Sequence, residues 1–349
     1  MNPAAVAHKP GHRLQAVDAL RGIAALAVVG YHYTTRYLEL YGAGAGAEPS
    51  FTVPWGHYGV NLFFIISGFV IFMTLARTRR PMDFVISRFS RLFPAYWVAI
   101  AITFAVTSAF VLPGKTVTVL QALANGLMLH GFARVPHVDG VYWTLEVELL
   151  FYAAMLALYA SGRLHATHLW LWALLALRLA YHVAAVSFGY DASWTLSRIL
   201  ILKYIPWFAL GIVIYWQTTD AAANRMRSGS TVVLAIGCLA IVDGWGLAML
   251  AAALGFLVWA AALGRLPWLG HRALVFFGAI SYTLYLLHEN IGWVVMREAQ
   301  ARGVSFNASI VLALGVTVSL ASAVTAWVER PAMRVIRDHW RRRLQAAAA

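Results

Sequence analysis

The chain has 349 residues, of which 61% are hydrophobic and only 12% charged, and its mean hydropathy is +0.69. Those values exclude an ordinary soluble domain and describe a polytopic membrane protein. The net charge of +13 comes with no nucleic-acid-binding module, and the single cysteine, Cys238, excludes a disulfide framework and a thiolate metal site.

Apolar stretches of spanning length fall at 16–35, 57–76, 91–111, 142–161, 167–187, 199–216, 230–244, 246–264, 273–295 and 307–328. The stretch 118–132 is ambiguous. If it does not cross and the N-terminus is inside, inner segments hold 18 Lys and Arg and outer segments hold 6. If it crosses, the split becomes 11 to 13. Lys and Arg concentrate on the cytoplasmic side. The bias therefore predicts an all-α protein with about ten transmembrane helices and both termini cytoplasmic. The stretch 118–132 is then re-entrant or interfacial. The whole chain, 1–349, reads as one membrane domain with a cytoplasmic N-tail at 1–15 and a basic C-tail at 330–349 facing anionic lipid. Small residues at Ala43–Ala47 offer a cleavage site, but the charge within the first span and the further spans favour a retained anchor.

The first span carries Asp18, Arg21 and His32. An ionisable group at membrane depth is costly. Eleven residues at about 100° each return to within about 20°, so Arg21 and His32 share a face, about 16 Å apart along the axis. Asp18 and Arg21, three residues apart, can pair. Two readings fit: a snorkelling arginine with an interfacial histidine, or His32 as a general base for a hydroxyl proton.

The next loop holds Arg77, Arg79 and Arg80, which topology alone explains. Arg88 and Arg91 project from one face at the membrane surface. Inside-positive bias explains them, and so does phosphate binding by two forked guanidiniums. Glu146 and Glu148 enter the fourth span from its outer end on different faces, with Glu148 about 8 Å inside. Glu148 is either a helix-joining ion pair or a site residue. Arg178 and His182, four residues apart, are partners or pore lining, and Asp243 near a helix end reads as solvated. Ser281, Tyr285 and His288 form one polar stripe, either a helix–helix seam or part of a site. No metal-ligand spacing, nucleotide loop or nucleophile elbow is present in the sequence.

Taken in order, seven segments resemble the membrane acyltransferase-3 family of O-acyltransferases. They are Asp18-Ala-Leu-Arg21 through His32, Gly59 through Phe69, Arg88-Phe-Ser-Arg91 through Tyr96, Trp143-Thr-Leu-Glu-Val-Glu148 through Tyr152, Phe208-Ala-Leu-Gly211, Ser281-Tyr-Thr-Leu-Tyr285-Leu-Leu-His288 and Glu329-Arg-Pro331. The resemblance implies that His32, Arg21 and Glu148, rather than Glu146, carry the catalytic positions. It implies that Arg88 and Arg91 hold acyl-CoA, with Asp18, Trp143, Ser281, Tyr285 and His288 in support. Asn61 stands where many members carry an acid, and Thr144 replaces a serine. Larger members carry a C-terminal esterase-like domain, which is not expected here.

The implied function is transfer of an acyl group, acetyl by default, from cytoplasmic acyl-CoA to a hydroxyl in the bacterial inner membrane, with no metal. The acceptor is a carbohydrate such as exopolysaccharide, lipopolysaccharide or a lipid-linked precursor. Acylation of a macrolide-type metabolite is the runner-up. A transporter or flippase is the competing class; the half-to-half symmetry and paired broken helices that such folds often show are not evident. Direct transfer is the simpler scheme, because no strong nucleophile–base pair is visible in the sequence.

Overall fold

The computed structural model describes residues 10–43, 48–190 and 193–347. Residues 1–9 of the expected N-tail, 44–47 of the cleavage stretch and 348–349 of the C-tail lie outside the described residues. The described residues are helical with no strand. The main helices are α1 (Pro10–Tyr31), α2 (Gly59–Arg77), α3 (Pro81–Ala109), α4 (Trp143–Ala160), α5 (Thr167–Phe188) and α6 (Ile205–Thr219). They are followed by α7 (Arg225–Val242), α8 (Trp245–Ala262), α9 (Arg272–Leu287), α10 (Glu289–Ala301), α11 (Phe306–Val324) and α12 (Arg330–Ala346).

Among the described residues, 7 helical segments are long and apolar enough to cross a membrane: Pro54–Arg77, Pro81–Ala109, Gly140–Ala160, Leu164–Phe188, Arg225–Val242, Trp245–Ala262 and Phe306–Ala346. Each overlaps one of the predicted spans, so the described residues match 7 of the expected ten or so. The predicted span 16–35 falls on α1 and the turn beyond it. The predicted span 199–216 is shorter than expected, because the regular helix begins only at Ile205, with Pro206 in its first turn. The predicted span 273–295 is divided at His288. There the helical bond from Asn290 N–H to the Leu286 carbonyl is replaced at both ends. Asn290 N–H donates to Asp139 Oδ2 at 3.1 Å, and the Leu286 carbonyl accepts from Tyr142 O–H at 3.3 Å.

The stretch 118–132 holds a 7-residue helix, Val119–Asn125, closed by a capping box between Thr118 and Gln121. At about 10 Å it is too short to cross a bilayer. Leu120 and Leu123 on it, and Leu127 just beyond it, are exposed, which suits an interfacial segment.

The chain divides into two compact units. Of the described residues, one unit holds 10–24, 60–76, 150–190 and 193–279. Its core includes Phe151 stacked on Phe208 with ring centroids 4.0 Å apart, and Trp172 Nε1 donating to Thr231 Oγ1 at 2.9 Å. Arg178 Nη2 donates to both Asp243 oxygens, at 2.8 and 2.6 Å. This corrects two expectations. Asp243 is ion-paired rather than merely solvated, and the partner of Arg178 is Asp243, brought across by the packing of α5 on α7. Asp18, exposed, and Arg21, half-buried, belong to this unit.

Of the described residues, the other unit holds 25–43, 48–59, 77–149 and 280–347. It holds His32, Arg88, Arg91, Trp143, Glu148, Ser281, Tyr285 and His288. Tyr282 O–H donates to the Leu92 carbonyl at 2.9 Å, and Thr283 Oγ1 lies 2.6 Å from Thr325 Oγ1, so α9 is tied to both α3 and the end of α11. Such hydroxyl bonds between helices suit an apolar interior, where an unmade bond costs most.

Candidate active site

Two widened helical turns mark the unit that contains His32. The ladder of α1 loosens over His32–Arg36, where the Tyr37 N–H reaches back to the His32 carbonyl. The same occurs over Thr325–Glu329, where the Arg330 N–H reaches the Thr325 carbonyl. These π-type turns re-aim side chains and recur at functional sites. One carries His32 and the other Glu329.

Hydrogen bonding assigns the imidazole tautomers around His32. His288 Nδ1 lies 2.9 Å from the Tyr285 carbonyl and 3.1 Å from the Leu284 carbonyl. Carbonyl oxygens only accept, so Nδ1 carries the proton and Nε2 of neutral His288 is bare. That bare Nε2 lies 3.1 Å from His32 Nδ1, which is also 2.9 Å from the Val28 carbonyl. His32 Nδ1–H therefore donates to both, and the bare nitrogen of neutral His32 is Nε2. It lies 3.3 Å from Glu289 Oε2. The His32 side chain keeps 14% of its surface accessible, whereas that of Glu289 keeps 5%.

The other oxygen of Glu289 accepts from Lys115 Nζ at 3.4 Å. Lys115 also sits over the Trp293 ring, 4.9 Å from its centroid, and Trp293 Nε1 donates to the His32 carbonyl at 2.9 Å. Gly140 packs so close to the Glu289 carboxylate that any side chain there would overlap it. Beside it, Asp139 accepts the Val141 and Asn290 N–H groups. Burial first, and then the Glu289 carboxylate, push the Asp139 carboxyl well above its ordinary range.

This arrangement offers a lone pair to an incoming hydroxyl proton, and a carboxylate to hold the imidazolium that results. The carboxylate beside the ring is Glu289, and Glu148 is half-buried on α4. Glu289 carried a usable signal, as an acid inside a predicted span. Lys115, in a loop, carried none. The predicted stripe separates by role. Ser281 is fully buried, and His288 meets His32. Tyr285 donates to Thr144 Oγ1 at 2.9 Å, which in turn donates to the Val141 carbonyl at 2.9 Å, so Tyr285 joins α9 to α4. Trp143 is half-buried at the start of α4.

A second cluster lies where α3 meets α12. Arg91 Nη1 is 3.6 Å from Glu329 Oε1. Arg337 Nε donates to Ser90 Oγ at 3.1 Å, and its Nη2 donates to the Ser87 carbonyl at 3.3 Å. Trp340 Nε1 donates to Asp83 Oδ1 at 2.8 Å. A third guanidinium thus stands at the level of Arg88 and Arg91. Arg337 also lines a cavity of about 370 Å³ with Arg330, Met333, Arg334, Asp338 and Arg341. Tyr282 is bonded to the residue after Arg91, and from there α9 rises six residues, about 9 Å, to His288. One helix therefore links the level of the basic cluster to the imidazole pair.

Residues 14–328 match the family model described as an acyltransferase domain, Acyl_transf_3. The chain is similar to Exopolysaccharide production protein ExoZ of Rhizobium meliloti (strain 1021), with 27% identity over 312 residues that cover 84% of this chain and 94% of that protein. It is also similar to Nodulation protein 10 of Rhizobium leguminosarum bv. viciae, with 27% identity across 97% of this chain and 98% of that protein. No solved structure matches.

Proposed function

The chain belongs to the acyltransferase-3 family, and on that premise we propose that it moves an acyl group from acyl-CoA to a hydroxyl of a carbohydrate acceptor, with His32 as the general base. The observation that carries this reading is the His32 side chain, 14% accessible, with Nδ1–H held by His288 and the Val28 carbonyl and Nε2 beside Glu289.

The step balances without a further reactant. The acceptor O–H gives its proton to His32 Nε2 as its oxygen attacks the thioester carbonyl carbon. The C–O bond forms and the C–S bond breaks, and the departing CoA sulfur takes the proton from the imidazolium. Glu289 holds that imidazolium between the two transfers, and His288 fixes the tautomer that leaves Nε2 free. A positioned base of this kind contributes about 10²–10⁴-fold. Holding both reactants in one water-poor site supplies a further share. Glu148 and Trp143 position the acceptor, and Arg21 keeps the catalytic role that the resemblance implies. Asp18, Ser281 and Tyr285 support the helices that carry these groups.

The donor is acyl-CoA, acetyl by default, with its phosphates on Arg88, Arg91 and Arg337. Forked guanidiniums suit phosphate oxygens, and Glu329 pairs with Arg91. We assign ten spans in the bacterial inner membrane, with both termini and the basic cluster cytoplasmic and His32 toward the outer side. The surface-polysaccharide reading of the acceptor is supported by the similarity to a protein named for exopolysaccharide production. The test is label transfer from radiolabelled acetyl-CoA to surface polysaccharide by purified protein in the absence of any ion gradient. Transfer is expected. Its absence, with labelled polysaccharide moved across a vesicle only when a gradient is applied, would replace the enzyme by a transporter.

A further inference from the structure

A run of aromatic rings leads outward from His32. Residues Pro54–Tyr58 form one tight turn, seated on α1 because Gly56 lies too close to the Ala27 carbonyl to carry any side chain. Ring contacts continue from this turn to His32. Trp55 and Tyr58 lie near-parallel at 16°, with centroids 6.3 Å apart. Tyr58 is 4.0 Å from His57, His57 is 5.2 Å from Tyr31, and Tyr31 is 5.1 Å from His32. Trp55 is 74% exposed. His57 Nδ1 lies 2.6 Å from the Pro54 carbonyl and so carries the proton, which leaves its Nε2 bare to accept a hydrogen bond.

A lone exposed tryptophan belongs naturally to the aromatic belt of a membrane interface. This group differs in two respects. Its rings touch in series and end on the candidate base. It also pairs π faces with groups that bond hydroxyls: the His57 acceptor nitrogen and the Tyr31 and Tyr58 hydroxyls. A pyranose ring matches both features, since its C–H face packs on the negative face of an aromatic ring while its hydroxyls need donors and acceptors around the edge.

We infer that Trp55, Tyr58, His57 and Tyr31 form a saccharide-binding platform that lays a pyranose ring of the acceptor against the approach to His32. The inference rests on the carbohydrate acceptor proposed above, and it supplies the recognition that an acyltransferase for sugars needs.

The test measures binding separately from turnover. Oligosaccharides cut from the base-deacylated surface polysaccharide of the producing organism are added to the full chain in lipid nanodiscs, and saturation transfer to their ring protons is followed by NMR. Trp55→Ala is expected to weaken saccharide binding about tenfold, and Trp55→Phe to stay within about threefold of the unsubstituted chain. Trp245→Ala serves as the interface control, since Trp245 is also exposed, at 75%, on the other unit, and it should bind as before. Unchanged affinity in Trp55→Ala, or equal weakening in Trp245→Ala, would overturn the platform, as would absence of saccharide binding by the unsubstituted chain. Saccharide binding that depends on Trp55 without any label transfer from acetyl-CoA would overturn the transfer reaction and leave the platform standing.

Discussion

His32 Nε2 and Glu289 Oε2 stand 3.3 Å apart in the same unit, although 257 positions separate the two residues in the chain. The pairing gives the carboxylate a defined part: it stands beside the nitrogen that takes the proton, and it pairs with the ring once the ring is an imidazolium. Glu289→Gln keeps the shape but presents an amide that cannot stabilise an imidazolium. The expected outcome is a fall in kcat of about 10²-fold with the KM for acetyl-CoA unchanged. Steady-state kinetics in nanodiscs checks this. A smaller loss for Glu289→Gln than for Glu148→Gln would transfer the role to Glu148.

His288 acts through His32, so its substitution reads differently. His288→Ala removes the acceptor for His32 Nδ1–H and is expected to lower kcat about tenfold. His288→Gln, whose amide oxygen can accept the same bond, should recover part of that loss. Comparable thermal stability of the two variants, measured alongside the rates, separates tautomer control from packing. Equal rates in the two variants would remove the acceptor role.

Much of this arrangement is legible in the sequence, and the remainder is not for a physical reason. The hydrophobic runs define the helices, and a histidine at membrane depth draws attention wherever it falls. His32 and His288 were therefore both visible, though their contact was not. The break before Glu289 is invisible locally, because it is made from outside the helix by Asp139 and Tyr142. Reading 273–295 as one continuous span conceals why Glu289 turns toward His32. Asp243 looked solvated because its partner, Arg178, comes from another helix. Arg337 looked like one more inner-side charge in a basic tail, and only the bonds to Ser90 and Ser87 connect it to Arg88 and Arg91.

Arg337 gives a prediction for the donor. Arg337→Ala should raise the KM for acetyl-CoA about tenfold, the worth of one charge-assisted phosphate contact, and leave kcat within about twofold. Arg337→Lys should recover part of the affinity, because it keeps the charge and loses the fork. Titration of the donor at fixed acceptor checks this. An unchanged KM in Arg337→Ala would confine Arg337 to packing α12 against α3.

The Arg178–Asp243 pair lies in the other unit and predicts a loss of stability rather than of chemistry. Arg178 is 7% exposed, so removing its partner strands a buried charge. Asp243→Asn should cost about 3–5 kcal/mol of stability. Replacing both residues, with Arg178→Met and Asp243→Leu together, should recover most of that loss, because no lone charge is then left. Thermal unfolding in one detergent, with donor affinity as a control, checks the order of the two variants.

The most direct measurement concerns His32 itself: the rate at which label moves from saturating radiolabelled acetyl-CoA to polysaccharide in nanodiscs carrying His32→Ala. The expected loss is about 10²–10⁴-fold, with donor affinity and protein level unchanged. Transfer by His32→Ala at the rate of the unsubstituted chain would contradict it.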